Sequence, residues 1–228
     1  LEYLKGRGIG REEILKWKIG YCKEGRYAGR IIIPSINNAG DCNYFIARSY
    51  IGADYRYLNP PCGRDIVFNA LMVDWDEPVV IVEGVFDAIM IDGIAVQGNH
   101  VTAEQAHLIN KLNKRVIVCP DRDNAGKEFI EQALTLDWEV SFPPWHTDIK
   151  DAADAVLKYG RLATVSSIIQ HATGNQLKAR VIVYCFALDS RLVYYRSYLY
   201  CNRMVFRNTF WTWTLNEIIY KRMQFYSR

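Results

Sequence analysis

Several common devices are missing from this sequence. No apolar run approaches the ~18 residues that a membrane helix needs, so a membrane-spanning protein is not expected. No N-terminal stretch reads as a secretory signal. The sequence starts at Leu1 inside what looks like a structured segment, and a fragment or processed chain is expected. The six cysteines form no C-x-x-C, and no Cys/His cluster has zinc-ligand spacing. No zinc is therefore expected, and the thiols read as buried or incidental groups in a reducing compartment. Histidine is scarce, with four residues, and His100 and His107 lack a Cys or His partner at ligand spacing. There is no internal repeat and no G-x-x-x-x-G-K-[ST] phosphate loop.

What the sequence does have is apolar content and an uneven charge. Half of the 228 residues are hydrophobic, enough for one large domain or two small ones with a real core. The net charge of +3 conceals three zones. Residues 1–65 hold eleven Lys/Arg against seven Asp/Glu. Residues 66–170 reverse this, with eight against sixteen, and residues 171–228 hold nine against two. Most of the central acids suit a solvated surface. A metal site beside an anion-binding surface needs only a few of them, and position decides which.

The first zone reads as α+β. "GREEILKWKIGY" suits a short helix ending near Gly20. "GRIIIPSINNAGDCNYFIARSYI" suits a hairpin turning at Asn37 to Asp41. From residue 78 strands and helices alternate. "PVVIVEG", "GIAVQG", "RVIVCP" and "WEVSFPP" read as four strands. "VFDAIMID", "TAEQAHLINKL", "AGKEFIEQALTL" and "DAADAVLKYG" read as the helices after them, with Thr102 and Gln105 in capping-box positions and Gly160 as a terminator. That alternation implies a parallel sheet covered on both faces, with its chemistry at the carboxyl ends of the strands. Residues 171–228 differ, with thirteen aromatics among 58 residues and arginines interleaved. This last stretch suits either a small packing subdomain or a surface that stacks on single-stranded bases.

Acids fall at those strand ends. Glu83 closes the first strand, with Asp87 four residues on. Asp121 and Asp123 follow the third strand, and Asp148, Asp151 and Asp154 follow the fourth. Carboxylates packed together repel one another and hold their protons. A divalent cation removes that penalty, and Mg2+ takes a few carboxylates, waters and a substrate phosphate. Asp123 equally suits a helix N-cap. A calcium loop of the EF-hand type is excluded, because Ala125 and Gln132 would stand at its fifth and twelfth positions. Phosphatases of the haloacid-dehalogenase type carry D-x-D-x-T on a first strand, whereas here Ala125 follows Asn124 on the third.

"VEGVFDA" and "PDRDNAG" together resemble the TOPRIM domain of primases, topoisomerases and related nucleases. "YLKGRGIGREEILKWKIGY", "GRIIIPS", "FIARSY" and "YRYLNPP" are similar to the N-terminal subdomain of bacterial and phage primases. "QGNHVT" stands where the resembling proteins carry Gly-Thr after the second strand, with Gly98 kept and Asn99 in the threonine's place. The resemblance implies an α/β fold, a TOPRIM Rossmann-like parallel sheet behind an α+β primase subdomain. Its expected divisions are 1–77, 78–165 and a basic aromatic segment over 166–228.

It further implies primer synthesis by nucleotidyl transfer on single-stranded DNA. The expected partners are ribonucleoside triphosphates and a replicative helicase, in the cytoplasm of a bacterial cell or a phage-infected host. Glu83, Asp121 and Asp123 are the expected catalytic residues. With Asp87 and Asp151 they are the expected ligands of Mg2+ or Mn2+. Arg30, Arg48, Arg56 and Lys127 are expected to bind template and nucleotide, and Arg122 offers a further phosphate contact. On the hairpin, Arg48 is expected to share a basic-aromatic face with Tyr44, Ile46 and Tyr50. The alternatives are a TOPRIM nuclease and a non-catalytic protein that binds single-stranded DNA or a replication partner.

Overall fold

The computed structural model describes residues 2–181 apart from 38, 64, 72, 74, 75, 99, 124 and 125. The aromatic stretch expected beyond residue 181 therefore lies outside the described residues.

The N-terminal part opens with α1 (Glu2–Lys5) and α2 (Arg11–Lys16), followed by β1 (Gly20–Cys22). The expected hairpin forms from β2 (Arg30–Ile36) and β3 (Cys42–Ser49), and the three strands make an antiparallel sheet in order β1-β2-β3. Its turn is closed by the Asn37 N–H donating to the Asp41 carbonyl at 2.9 Å. The Asn37 side chain also accepts from Ala39 and Asp41, which is why asparagine suits the site.

The second sheet contains β4 (Val79–Val82), β5 (Ile94–Ala95), β6 (Val116–Val118) and β7 (Glu139–Ser141). Helices α3 (Val85–Ile91), α4 (Ala103–Asn110) and α5 (Gly126–Thr135) follow the first three of these strands in turn. After β7 come α6 (Ala152–Tyr159) and α7 (Arg161–Gln170), then β8 (Ala172–Thr173). The strand order is β5-β4-β6-β7-β8, with every pair parallel except β7 with β8. The sequence reading located the parallel strands but neither α7 nor the antiparallel edge strand β8. The expected capping box is present, with the Thr102 hydroxyl accepting from the Gln105 N–H and the Gln105 side chain accepting from the Thr102 N–H.

The sheet is apolar on both faces because both are covered. Val80, Val82 and Ile117 face one hydrophobic cluster, with residues of α3 and α6. Val79, Ile81, Val116, Val118 and Val140 face the other, with α4 and α5. The first cluster also takes in Leu4, Ile9, Trp17, Ile31, Ile33, Tyr44 and Ile46, so the N-terminal sheet and the parallel sheet share one core. Arg161 ties the same parts together. Its guanidinium donates to Glu13 on α2, to Asp92 after α3 and to the Met90 carbonyl. Lys16 reaches Asp92 at 2.6 Å.

Candidate active site

Four segments meet at the carboxyl edge of the parallel sheet. Glu83 follows β4, and Asp87 lies in the first turn of α3. Asp121 follows β6, and Asp151 caps α6 after β7. Glu83 accepts a hydrogen bond from the Asp121 N–H at 3.1 Å, which joins the ends of neighbouring strands. Asp87 is only 7% exposed and accepts from the Ala153 N–H at 2.9 Å, which joins α3 to α6. Gly126 starts α5 so close to the Asp121 turn that a β-carbon there would collide with the Asp121 carbonyl. Only glycine lets that helix begin where it does.

The electrostatics are only partly compensated. Burial pushes Glu83 up to about 7. The Asp121 N–H opposes this, and the charges of Asp123 and Asp87 add to it. Burial likewise raises Asp121 to about 7, helped by Glu83, Asp151 and Asp123. Asp87 rises to about 8, again chiefly through burial, then through Asp151 and Asp121. Lys150 is the cation that opposes these rises at both Glu83 and Asp121, and its amine lies 3.5 Å from Asp151. Sequence reasoning passed over Lys150, although it stands directly before Asp151.

Asp123 behaves differently from Asp121. It is exposed, and its Oδ1 accepts from the Gly126 N–H at 3.1 Å at the start of α5. Asp151 caps α6 in the same manner, accepting from the Asp154 N–H at 2.8 Å. Each of these two carboxylates thus caps a helix at the edge of the site. The donor set is all carboxylate oxygen, which suits a hard divalent cation, and its mutual repulsion is what such a cation relieves. Among the described residues, however, no three His, Cys, Asp or Glu side chains converge to hold a metal ion. The fit is one of chemistry and charge rather than of an assembled coordination shell.

The expected basic residues divide. Arg30 is 5% exposed, and its guanidinium donates to the carbonyls of Ala47, Tyr55 and Arg56. It staples the 55–57 segment against the hairpin instead of facing a phosphate, because its donors are already spent on carbonyls. Arg56 is exposed. Arg48 is half-buried, stacked over the rings of Tyr57 at 4.7 Å and Tyr3 at 5.8 Å, with its Nε unpartnered. The face expected to carry template is also corrected. Tyr44 and Ile46 are buried core residues, 2% and 5% exposed, so Arg48 emerges at the margin of an inward face.

Lys127 is half-buried and lines a small cavity with Asp121, Asp123 and Trp145. Arg122, the further phosphate candidate, donates to the carbonyls of Pro143, Trp145, His146 and Ile149 and lies over the Trp145 ring. It clamps the loop after β7 to the Asp121 turn.

The segment that carries this edge, residues 80–156, matches the Toprim-like family model. The chain is similar in sequence to bacterial DNA primases, and it shares the fold of a DnaG catalytic core. It is 31% identical to the DNA primase of Thermotoga maritima over 162 residues, which is 62% of this chain and 29% of that protein. It is 32% identical to the DNA primase of Listeria innocua over 129 residues, 49% of this chain and 20% of that protein. The chain thus spans less than a third of either relative.

Among solved structures, the RNA polymerase domain of Mycobacterium tuberculosis primase DnaG superposes with a TM-score of 0.67 at 19% identity, covering 98% of this chain and 89% of that one. A DnaG primase catalytic domain bound to single-stranded DNA gives a TM-score of 0.64 at 20% identity, covering 74% and 70%. At such identities these structures establish the shared α/β fold.

Proposed function

We propose that this chain is the catalytic core of a primase and makes short RNA primers on single-stranded DNA. The observation that carries the reading is that Glu83, Asp87 and Asp121 share one sheet edge, where each feels the charge of at least one of the others. Asp87 is buried and Glu83 and Asp121 are half-buried, and each is driven to hold its proton near or above neutral pH. A structural role rarely needs three such groups together, whereas nucleotidyl transfer does.

In the proposed reaction, the 3′-hydroxyl oxygen of the growing primer attacks the α-phosphorus of an incoming ribonucleoside triphosphate. A phosphorus–oxygen bond forms, and the bond to the pyrophosphate leaving group breaks. Glu83 takes the hydroxyl proton where it is not itself a ligand of the metal. Glu83, Asp87, Asp121, Asp123 and Asp151 are the residues that would hold Mg2+ or Mn2+. Such an ion, when bound, neutralises phosphate charge. Arg48, Arg56 and Lys127 contact phosphates of template or nucleotide, and Lys150 tempers the acidic edge. The reaction would take place in the cytoplasm of a bacterial or phage-infected cell, beside a replicative helicase.

The test is the purified chain with single-stranded DNA, four ribonucleotides and Mg2+ or Mn2+. Labelled short oligoribonucleotides are the expected product. Shortened template would instead mean a nuclease. Gel retardation without either product would mean a binding protein.

A further inference from the structure

Gln97 is the most costly residue at this edge, and nothing in the reading above uses it. Strand β5 pairs Ile94 and Ala95 with Ile81 and Val82 of β4. The Val96 N–H then donates to the Val82 carbonyl at 3.3 Å, and the Gly98 N–H to the Glu83 carbonyl at 3.2 Å. Between these two bonds the chain leaving β5 advances two residues while the chain leaving β4 advances one, so Gln97 lies in the irregular turn just past the strand end.

Its backbone is left-handed, with φ 62, a region that L side chains other than Asn and Asp seldom occupy. Both polar atoms of its side-chain amide are buried with no partner. A glycine at 97 would remove both penalties, yet the glycine stands one place later, at 98. Two unrelated costs on one residue, one strand from Glu83 and so roughly 4.8 Å across the sheet, point to a use for the side chain.

We infer that Gln97 is a specificity-determining residue whose amide hydrogen-bonds a sugar hydroxyl of the bound nucleotide. The amide offers a donor and an acceptor, and a hydroxyl both accepts and donates, so one group satisfies the pair. The residue as a whole is half-buried. A site that leaves its amide orphaned without the hydroxyl discriminates strongly against analogues lacking it. The inference rests on the proposed reading only in taking a nucleotide as the ligand.

The experiment is calorimetric binding of ATP, 2′-deoxy-ATP and 3′-deoxy-ATP, with Mg2+, to the wild-type chain, Gln97→Gly and Gln97→Leu. Gly keeps the left-handed backbone, and Leu keeps the volume. Wild type is expected to favour ATP over one deoxy analogue by about ten-fold or more. Both variants should bind the two alike, with melting temperatures no lower than wild type. An unchanged ratio in the variants, or no ATP binding by wild type, overturns the inference. A wild type that prefers ATP but makes no primers upholds Gln97 and counts against the primase reading.

Discussion

Burial, partly offset by Lys150 at Glu83 and Asp121, gives Glu83, Asp87 and Asp121 a pH signature. Their ordinary values are 4.5 for Glu83 and 3.8 for the two aspartates, against about 7, 8 and 7 in the fold. Between those limits the folded chain binds more protons than the unfolded chain, so stability falls as pH rises through that window. In chelator, the melting temperature should drop from pH 5 to pH 8. Asp87→Asn should raise it slightly at pH 5 and clearly more at pH 8, since the amide oxygen still accepts from the Ala153 N–H. A wild type equally stable at both pH values would contradict the carboxylate account. Single residues were legible here to different degrees. Glu83 and Asp121 stand out because a charge directly after a buried strand is rare. The burial of Arg30 was hidden, because its carbonyl cage comes from residues 47, 55 and 56. Gln97 gave no signal, because its left-handed backbone and its orphaned amide exist only in the fold.

At the scale of elements, the site depends on how the loop after β7 is fixed. Arg122 donates to four carbonyls of that loop, and its own N–H donates to the Lys150 carbonyl at 2.8 Å. Arg122→Ala should cost roughly 1–3 kcal/mol by orphaning those carbonyls. Arg122→Lys should rescue little, because an ammonium cannot reproduce the planar fork. Urea denaturation measures both, and a full rescue by Lys would show that charge alone matters. The four parallel strands were readable as apolar runs bounded by turn residues, since both their faces are covered. Two other elements were not. β8 has only two residues, too few for any period. α7 contains Thr164, Val165, Ile168 and Ile169, whose branched side chains weaken helix propensity. Packing against α3 and α6 forms that helix, and packing is not local information.

At the scale of the molecule, one core runs from the N-terminal helices through the hairpin to α3 and α6, so the carboxylate edge sits on a continuous support. No helix among the described residues is long and apolar enough to cross a membrane. The alternating βα pattern revealed the fold class, and the acidic strand ends pointed to the candidate site. Which arginines face outward had to come from the packing of the two sheets on each other. The central claim is that the half-buried carboxylate at the end of β6 takes part in nucleotidyl transfer. Its most direct test is Asp121→Asn against wild type in primer synthesis on single-stranded DNA, with DNA retention measured alongside. The account predicts a loss of synthesis of at least about 100-fold with retention unchanged, and a variant that makes primers at the wild-type rate would contradict it.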